Sequence, residues 1–457
     1  MAVDAKISFA GAGSAAFALN VIRDLCLADD LSGAVVTLID LDAERLGAVH
    51  ALAQRYAQKV RANLRFEKTT DRRQGMQGAN FVIDTALAGG HDEQEFVRAV
   101  GEKHGYYRGV EAVEFNMISD YSTTFQAYKQ LKLFADIATE MEDVCPDAWL
   151  IDVANPECEA GTLLARTSKI KVVGYCHGYK AYREIQDILG IEAPVDFQVA
   201  GFNHNIWLTR LRRDGADLYP LLDEWIQKDA EAYWRSHKPT NEFDVHLSRA
   251  AVDMYRLYGL FPVGDTVRSG TRKYHYDLKT KQYWYGGLGG PDSELGWASY
   301  LSRIGERTKQ LLSLAHDPAA NLLEELPPTK SREDVVPLID SIVNDKPERF
   351  VLDIRNGDTI PVLPADVAVE VPVTVDRQGI HRETIDRIPR KLMSMALLPR
   401  LVRLEMAIEA FMTGDKSILL ELLFRDDRTR SNEQASRTLD SILNVPFNAE
   451  VKSHYRG

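Results

Sequence analysis

Two residue types that rarely meet by accident stand at the ends of apolar runs. Cys176-His177-Gly178 closes the stretch KVVGY, and Asn203-His204 interrupts VAGFNHNIWL. A thiolate and an imidazole form a two-ligand set for a divalent cation and leave coordination positions open to substrate oxygens. Read singly, Cys176 is a packed thiol and His204 a satisfied core histidine. Gly264-Asp265-Thr266-Val267-Arg268 places a carboxylate and a guanidinium close in sequence, either as a site or as a surface ion pair. Asn155-Pro156, after AWLIDVA, is either a turn or a polar group offered at a strand end.

A second constellation opens the chain. Gly11-Ala12-Gly13-Ser14 follows KISFA and begins a helical pattern. Missing side chains there let the backbone approach a pyrophosphate, and a helix N-terminus favours its charge. The third glycine of the usual fingerprint is absent. Asp40, at the end of the next apolar run, is placed to accept from ribose hydroxyls, which favours NAD over NADP, with Asp42 as the alternative.

These residues need a scaffold that delivers strand ends to one crevice. KISFA, a helical segment and AVVTLIDLD (Ala34 to Asp42) read as a βαβ unit. FVIDTAL (Phe81 to Leu87), AWLIDVA (Ala148 to Ala154) and KVVGYC (Lys171 to Cys176) read as further buried strands, separated by helical periodicity such as TFQAYKQLKLFADIATEMEDV. Strands alternating with helices predict an α/β fold with an N-terminal Rossmann-like, doubly wound parallel sheet. After about Asp196 the texture shifts to longer amphipathic helices, Trp- and Tyr-rich segments such as KQYWYGGLGG, and one strand-like run, DVAVEVPVTVD. A second α/β (α+β) domain follows. The expected division is 1–195 for nucleotide binding and 196–457 for substrate, metal and oligomerisation, with the site between them.

The chain of 457 residues exceeds what one core usually supports. It carries 67 acidic and 55 basic residues, a net charge of −12, and no Lys/Arg-rich run, so a nucleic-acid partner is not expected. No apolar run approaches the roughly 18 residues of a membrane span, so no membrane partner is expected either. The opening MAVDAKISFAGAGS lacks the basic region and cleavage site of a secretory leader, and a cytoplasmic address is expected. Four cysteines (Cys26, Cys145, Cys158, Cys176) are too sparse for a disulfide framework.

Taken in order, GAGSAAF, EFNMISDY, ANPE, CHGY, GFNHNIW and GLFPVGDTVRS resemble glycoside hydrolase family 4. The resemblance continues through GGPDSELGW, VAVEVPV and MAIEAFMTGD…LLFRDDRTRS. It is nearest to the bacterial α-glucosidases acting on unphosphorylated sugars, with α-glucuronidases and α-galacturonidases as relatives. Cys-His-Gly stands where the phospho-α-glucosidases carry an aspartate after the cysteine.

The resemblance implies that Cys176 and His204 ligate a divalent metal, usually manganese, and that Gly11, Gly13, Ser14 and Asp40 hold NAD. It implies Asp265 as the base that removes the C2 proton, a task given to a tyrosine in other branches, and Asp120, Asn155 and Arg268 as substrate contacts. His177 stands where the aspartate-bearing branch has its general acid, which leaves its own role open.

The implied reaction oxidises sugar C3, removes the C2 proton, eliminates the C1 substituent, adds water and returns the hydride. An α-glucoside is the first expectation. An α-glucuronide, α-galacturonide or sulfoquinovoside is the alternative, because Arg272 and Lys273 in GTRKYHYD add positive charge near the proposed site. An NAD-dependent 2-hydroxyacid dehydrogenase would share the first domain but would need a positioned Arg and a His–Asp relay. Assembly as a homodimer or homotetramer is expected.

Overall fold

The computed structural model describes residues 5–14, 17–110, 127–192, 194–268 and 274–456. Asp120, Arg272 and Lys273 lie outside the described residues, so the expectations placed on them stay expectations. Six short strands form a parallel layer: β1 (Lys6–Ala10), β2 (Val35–Ile39), β3 (Arg65–Thr69), β4 (Phe81–Asp84), β5 (Trp149–Asp152) and β6 (Lys171–Gly174). Their spatial order is β6-β5-β4-β1-β2-β3, so the winding direction reverses between β1 and β4. Loops diverge at such a reversal and leave a crevice at the carboxyl ends of the strands. Ile7 and Phe9 of β1 and Val36 and Leu38 of β2 are fully buried, as strands covered by helices on both faces require.

β3 (RFEKT) escaped the sequence reading because it is an edge strand in which only Phe66 is buried. Its charged residues alternate into solvent and mask the pattern.

The second half of the chain extends the same sheet. β7 (Asp196–Phe202), β8 (Asn205–Arg213), β9 (Ala216–Asp217), β10 (Phe261–Val263), β11 (Glu348–Arg355), β12 (Ala368–Asp376) and β13 (Gly379–Arg382) pair antiparallel, and the path runs β10-β8-β7-β12-β11-β6. The two halves meet where Asp353 of β11 pairs with Gly174 of β6. A Cβ on Gly174 would lie 2.7 Å from the Asp353 Cβ, so the closeness of this junction depends on glycine. The helix Arg249–Tyr258 is capped by Gly259 at φ 87°, and β10 follows at once.

The division expected at 195/196 is crossed by this sheet and by a second apolar cluster. Val97 and Tyr106, from the nucleotide half, pack with Ala435, Leu439 and Leu443 of the helix Asn432–Leu443. The helix Leu398–Thr413 likewise docks on the helix Glu157–Thr167, where the buried Arg400 Nη1 donates to Glu159 Oε1 at 2.6 Å.

Removing one partner of such a pair strands the other charge in the interior. Arg400→Met is expected to cost about 3–5 kcal/mol in chemical denaturation, and Arg400→Met with Glu159→Gln to restore part of that loss.

Candidate active site

The glycine turn after β1 is built for close approach. Gly11 has φ 78°, and a Cβ there would sit 2.7 Å from the Ala86 backbone nitrogen. Only glycine combines the left-handed conformation with that contact. Gly13 N donates to Asp40 Oδ2 at 2.7 Å, and Asp40 Oδ1 accepts from Asp42 N at 2.9 Å. Ser14 N donates to Gly11 O, closing the turn. Asp42 is committed elsewhere. It caps the helix Ala43–Val60 through Glu44 N and Arg45 N and pairs with the Arg45 guanidinium at 2.7 Å. Of the two carboxylates weighed for the ribose, Asp40 is therefore the one turned toward the glycine cradle.

The metal-ligand candidates converge from separate strands. Cys176 leaves β6 at its carboxyl end and caps the turn His177–Ala181, its Sγ accepting from Gly178 N. His204 sits at the tip of the β7–β8 hairpin with φ 59°, a left-handed conformation uncommon for a non-glycine residue and a feature of functional sites. The hairpin tip is held by Asn203 N to Cys158 Sγ at 2.9 Å, Asn203 Nδ2 to Glu370 Oε2 at 3.0 Å and Ile206 N to Thr266 Oγ1 at 2.7 Å.

Cys176 Sγ and His204 Nε2 are 4.0 Å apart, within the span of two ligands that each reach one ion at about 2.0–2.3 Å. Among the described residues no group of three or more His, Cys, Asp or Glu side chains encloses a metal by itself. A Cys/His pair at this spacing fits two positions of one divalent ion.

Asp265 and Arg268 continue the chain of contacts. Asp265 Oδ2 lies 3.6 Å from His204 Nε2, and Asp265 Oδ1 accepts from Arg268 Nη1 at 2.7 Å. Arg268 Nε and Nη2 donate to the two oxygens of Asp292, both at 2.8 Å. Arg268 is 1% exposed. Of the pair read as surface or site, Arg268 is buried and Asp265 half-buried, and the guanidinium anchors Asp265 before it meets any substrate.

A glycine contact sets the two loops against each other. Gly264 has φ 60°, and a Cβ on it would come within 2.8 Å of the Gly178 carbonyl. Asn155 stands half-buried after β5, next to the helix Glu157–Thr167. His177 is directed outward, and its Nδ1 lies 3.3 Å from Glu333 Oε2.

Burial sorts the protonation states. It pushes the Cys176 thiol well up, reinforced by the charges of Glu157, Glu370 and Asp265. It lowers His204 to about 4, leaving the neutral imidazole that a metal requires. For Asp265 burial opposes ionisation, but the Arg268 guanidinium, with His204 and His246, holds the carboxyl far below the usual range. The hydrogen bond with Glu333 raises the proton affinity of His177.

Beneath the site lies a set of buried carboxyls that the sequence reading passed over. Asp84 and Asp152 end β4 and β5, Glu157 opens a helix, and Asp353 and Glu370 sit in β11 and β12. Burial pushes Asp84 up to about 7 and Asp353 up to about 6, and carries Asp152, Glu157 and Glu370 well above their ordinary values. Single acidic residues inside FVID, WLID, VLDI and AVEVPV were the available signal: a charge in a buried strand is seldom there for packing. Asp292 and Glu333 carried no comparable signal.

The sequence profile described as "Family 4 glycosyl hydrolase" matches residues 6–191, and that of its C-terminal domain matches residues 199–429. The chain is a family 4 glycosyl hydrolase. It is 25% identical to an alpha-galactosidase of Bacillus subtilis (strain 168) over 448 residues, covering 97% of this chain and 98% of that one. It is 29% identical over 327 residues to an alpha-galacturonidase of Thermoanaerobacterium saccharolyticum, covering 67% and 66%. The fold superposes on a 6-phospho-alpha-glucosidase from gut microorganisms, solved with NAD and Mn2+, with a TM-score of 0.74 at 16% identity and 99% coverage of both chains.

Two predictions follow from the geometry of this glycosyl hydrolase. Gly264→Ala must push the Asp265 loop off the Cys176 turn, and Mn2+ affinity measured by titration calorimetry is expected to fall about 10–100-fold.

The buried carboxyls also make stability depend on pH. Asp84 and Asp353 are protonated when folded at a pH where the unfolded chain, near 3.8, has ionised them. Their contribution is complete below 3.8 and is lost as pH rises through about 6 to 7. Asp84→Asn with Asp353→Asn is expected to flatten the fall in Tm between about pH 4 and about pH 7.

Proposed function

We propose that this family 4 glycosyl hydrolase cleaves an unphosphorylated α-glycoside with NAD and a divalent ion, manganese first, by elimination and readdition at C1–C2. The observation that carries the reading is the contact chain Cys176–His204–Asp265–Arg268 beside a glycine cradle with its own carboxylate. A relative of the same fold solved with NAD and Mn2+ supports both cofactors. Gly11, Gly13 and Ser14 would receive the pyrophosphate and Asp40 the ribose, while Cys176 and His204 would hold the ion. When bound, NAD supplies a hydride acceptor for sugar C3 and the ion a Lewis acid for sugar oxygens, which together acidify the C2 hydrogen.

The protein's own part is proton handling. Asp265 takes the C2 proton. Its pairing with Arg268 keeps it ionised across the working range, so it is always free to accept, at the cost of low basicity. Arg268 and Asn155 orient the sugar, Arg268 through its hold on Asp265. His177, whose proton affinity the Glu333 carboxylate raises, is the group that would deliver a proton to the departing oxygen at C1.

The Cys-His-Gly form at Cys176 favours an unphosphorylated sugar, with an α-glucoside as first choice. A second reading, an acidic glycoside, has its own support in the 29% identical alpha-galacturonidase relative and in Arg272 and Lys273. A panel of aryl α-glucoside, α-galactoside, α-glucuronide, α-galacturonide and α-sulfoquinovoside with NAD and Mn2+ separates them. A net dehydrogenase would accumulate NADH in step with product, whereas this reaction returns its hydride.

Hydrolysis in heavy water is expected to place deuterium at C2 of the released sugar, because the C2 proton exchanges with solvent through Asp265. Product carrying only protium at C2, together with no washout from a C2-deuterated substrate, would overturn the elimination route.

A further inference from the structure

Buried basic side chains converge on Asp292, itself 5% exposed. Arg268 takes the two carboxylate oxygens through Nε and Nη2, while Lys281 Nζ and Arg108 Nε donate to the Asp292 backbone carbonyl, Arg108 at 3.2 Å. Lys281 is 0% exposed and Arg108 6%. Donors buried this deeply are costly unless each meets an acceptor, so the carbonyl and the carboxylate of one residue are both committed.

The supports of Asp292 are themselves fixed. Ser293, the next residue, caps the helix Glu294–His316 by accepting from Gly296 N at 2.8 Å, and a Cβ on Gly296 would fall 2.0 Å from the Gly290 carbonyl oxygen. Arg108 has φ 62°, a left-handed conformation uncommon outside glycine, and Arg428 Nη1 holds its neighbours by donating to Tyr107 O and to Gly109 O at 2.9 Å. Such strain persists only where the surroundings enforce it. Lys281 Nζ also lies 5.3 Å from the centroid of the Tyr107 ring.

A guanidinium presents its donors as a rigid fork, and a carboxylate binds that fork best with both oxygens. Asp292 occupies the Nε and Nη2 donors. Asp265 is left with Nη1, which it meets through Oδ1 alone at 2.7 Å, and its Oδ2 turns to His204 Nε2 at 3.6 Å. With Asp292 gone, the same guanidinium would draw both Asp265 oxygens onto itself and leave neither for a substrate proton.

We propose that Asp292 is the positioning residue for the base: it holds two donors of Arg268 so that Asp265 is bound through one oxygen and keeps the other for the C2 proton, and Lys281 and Arg108 keep Asp292 in place. This rests on the glycosidase reading above and adds to it what aims the base.

The test compares the full-length protein, with NAD and Mn2+, with Asp292→Asn, whose amide accepts through one atom only, and with Lys281→Met, which leaves every carboxylate in place. The substrate is the aryl α-glycoside that the unaltered protein cleaves fastest, prepared with protium throughout, with deuterium at C2, or with deuterium at C3. In Asp292→Asn kcat is expected to fall about 10–100-fold with KM changed less than about threefold. The C2 isotope effect is expected to rise relative to the C3 effect, because proton removal is slowed and hydride transfer is not. Lys281→Met is expected to show the same pattern to a smaller degree. A crystal structure of Asp292→Asn is expected to show both Asp265 oxygens on the guanidinium. An isotope ratio unchanged in both variants, or Asp265 still bound through one oxygen, would overturn the proposal, and so would the failure of both variants to fold, which assigns the cluster to the scaffold alone. An unaltered protein that cleaves none of the glycosides, or that places no deuterium at C2 in heavy water, would instead overturn the elimination reading, and the positioning role with it.

Discussion

A guanidinium that has lost its water must find its compensation in the protein, and Arg268 finds it in two carboxylates at once. Its bonds to Asp265 and Asp292 tie the loop after β10 to the GGPDS turn near the helix Glu294–His316. Because Asp265 is fixed on this side, its free oxygen lies beside His204, and His204 is in turn held opposite Cys176. Each link depends on low exposure: a buried ion pair left half made costs several kcal/mol, so the arrangement behaves as a unit. The positive charge also explains why the Asp265 carboxyl is held low while burial pushes its neighbours up.

Those neighbours form a second layer with the opposite logic. Asp84, Asp152, Glu157, Asp353 and Glu370 gather where the parallel strands end and the antiparallel extension begins, and burial lifts their proton affinity. Two sets of acidic groups, one held ionised by a cation and one held up by burial, stand side by side. Such divergence is characteristic of sites that handle protons. The cost is borne by the scaffold, whose β11 and β12 carry carboxyls in positions that would otherwise be wholly apolar.

The continuous sheet makes this possible. A parallel sheet alone would offer Cys176 at the end of β6 and nothing across from it. The antiparallel extension returns His204 on a two-residue hairpin and Asp265 on the loop after β10, and glycines at positions 174 and 264 allow the backbones to close. The one sheet therefore continues across position 195/196, where β7 begins.

The sequence by itself determined the parallel layer, the glycine cradle and the residue types of the site. Apolar runs such as FVID and KVVG are local signals, Gly11 answers a local conformational demand, and Cys176, His204 and Asp265 stood out because each is chemically out of place in its segment. Asp40 was preferred in sequence with Asp42 as the alternative, and only the structure gave Asp42 a role of its own as a helix cap. The pairing of Arg268 with Asp292, the hold of Glu333 on His177 and the gathering of the buried carboxyls join segments far apart in the chain. Burial and partner, which decide whether a carboxyl is a base, an anchor or a neutral acid, arise only when the sheet is assembled, because desolvation and charge pairing belong to the tertiary environment and not to the residue.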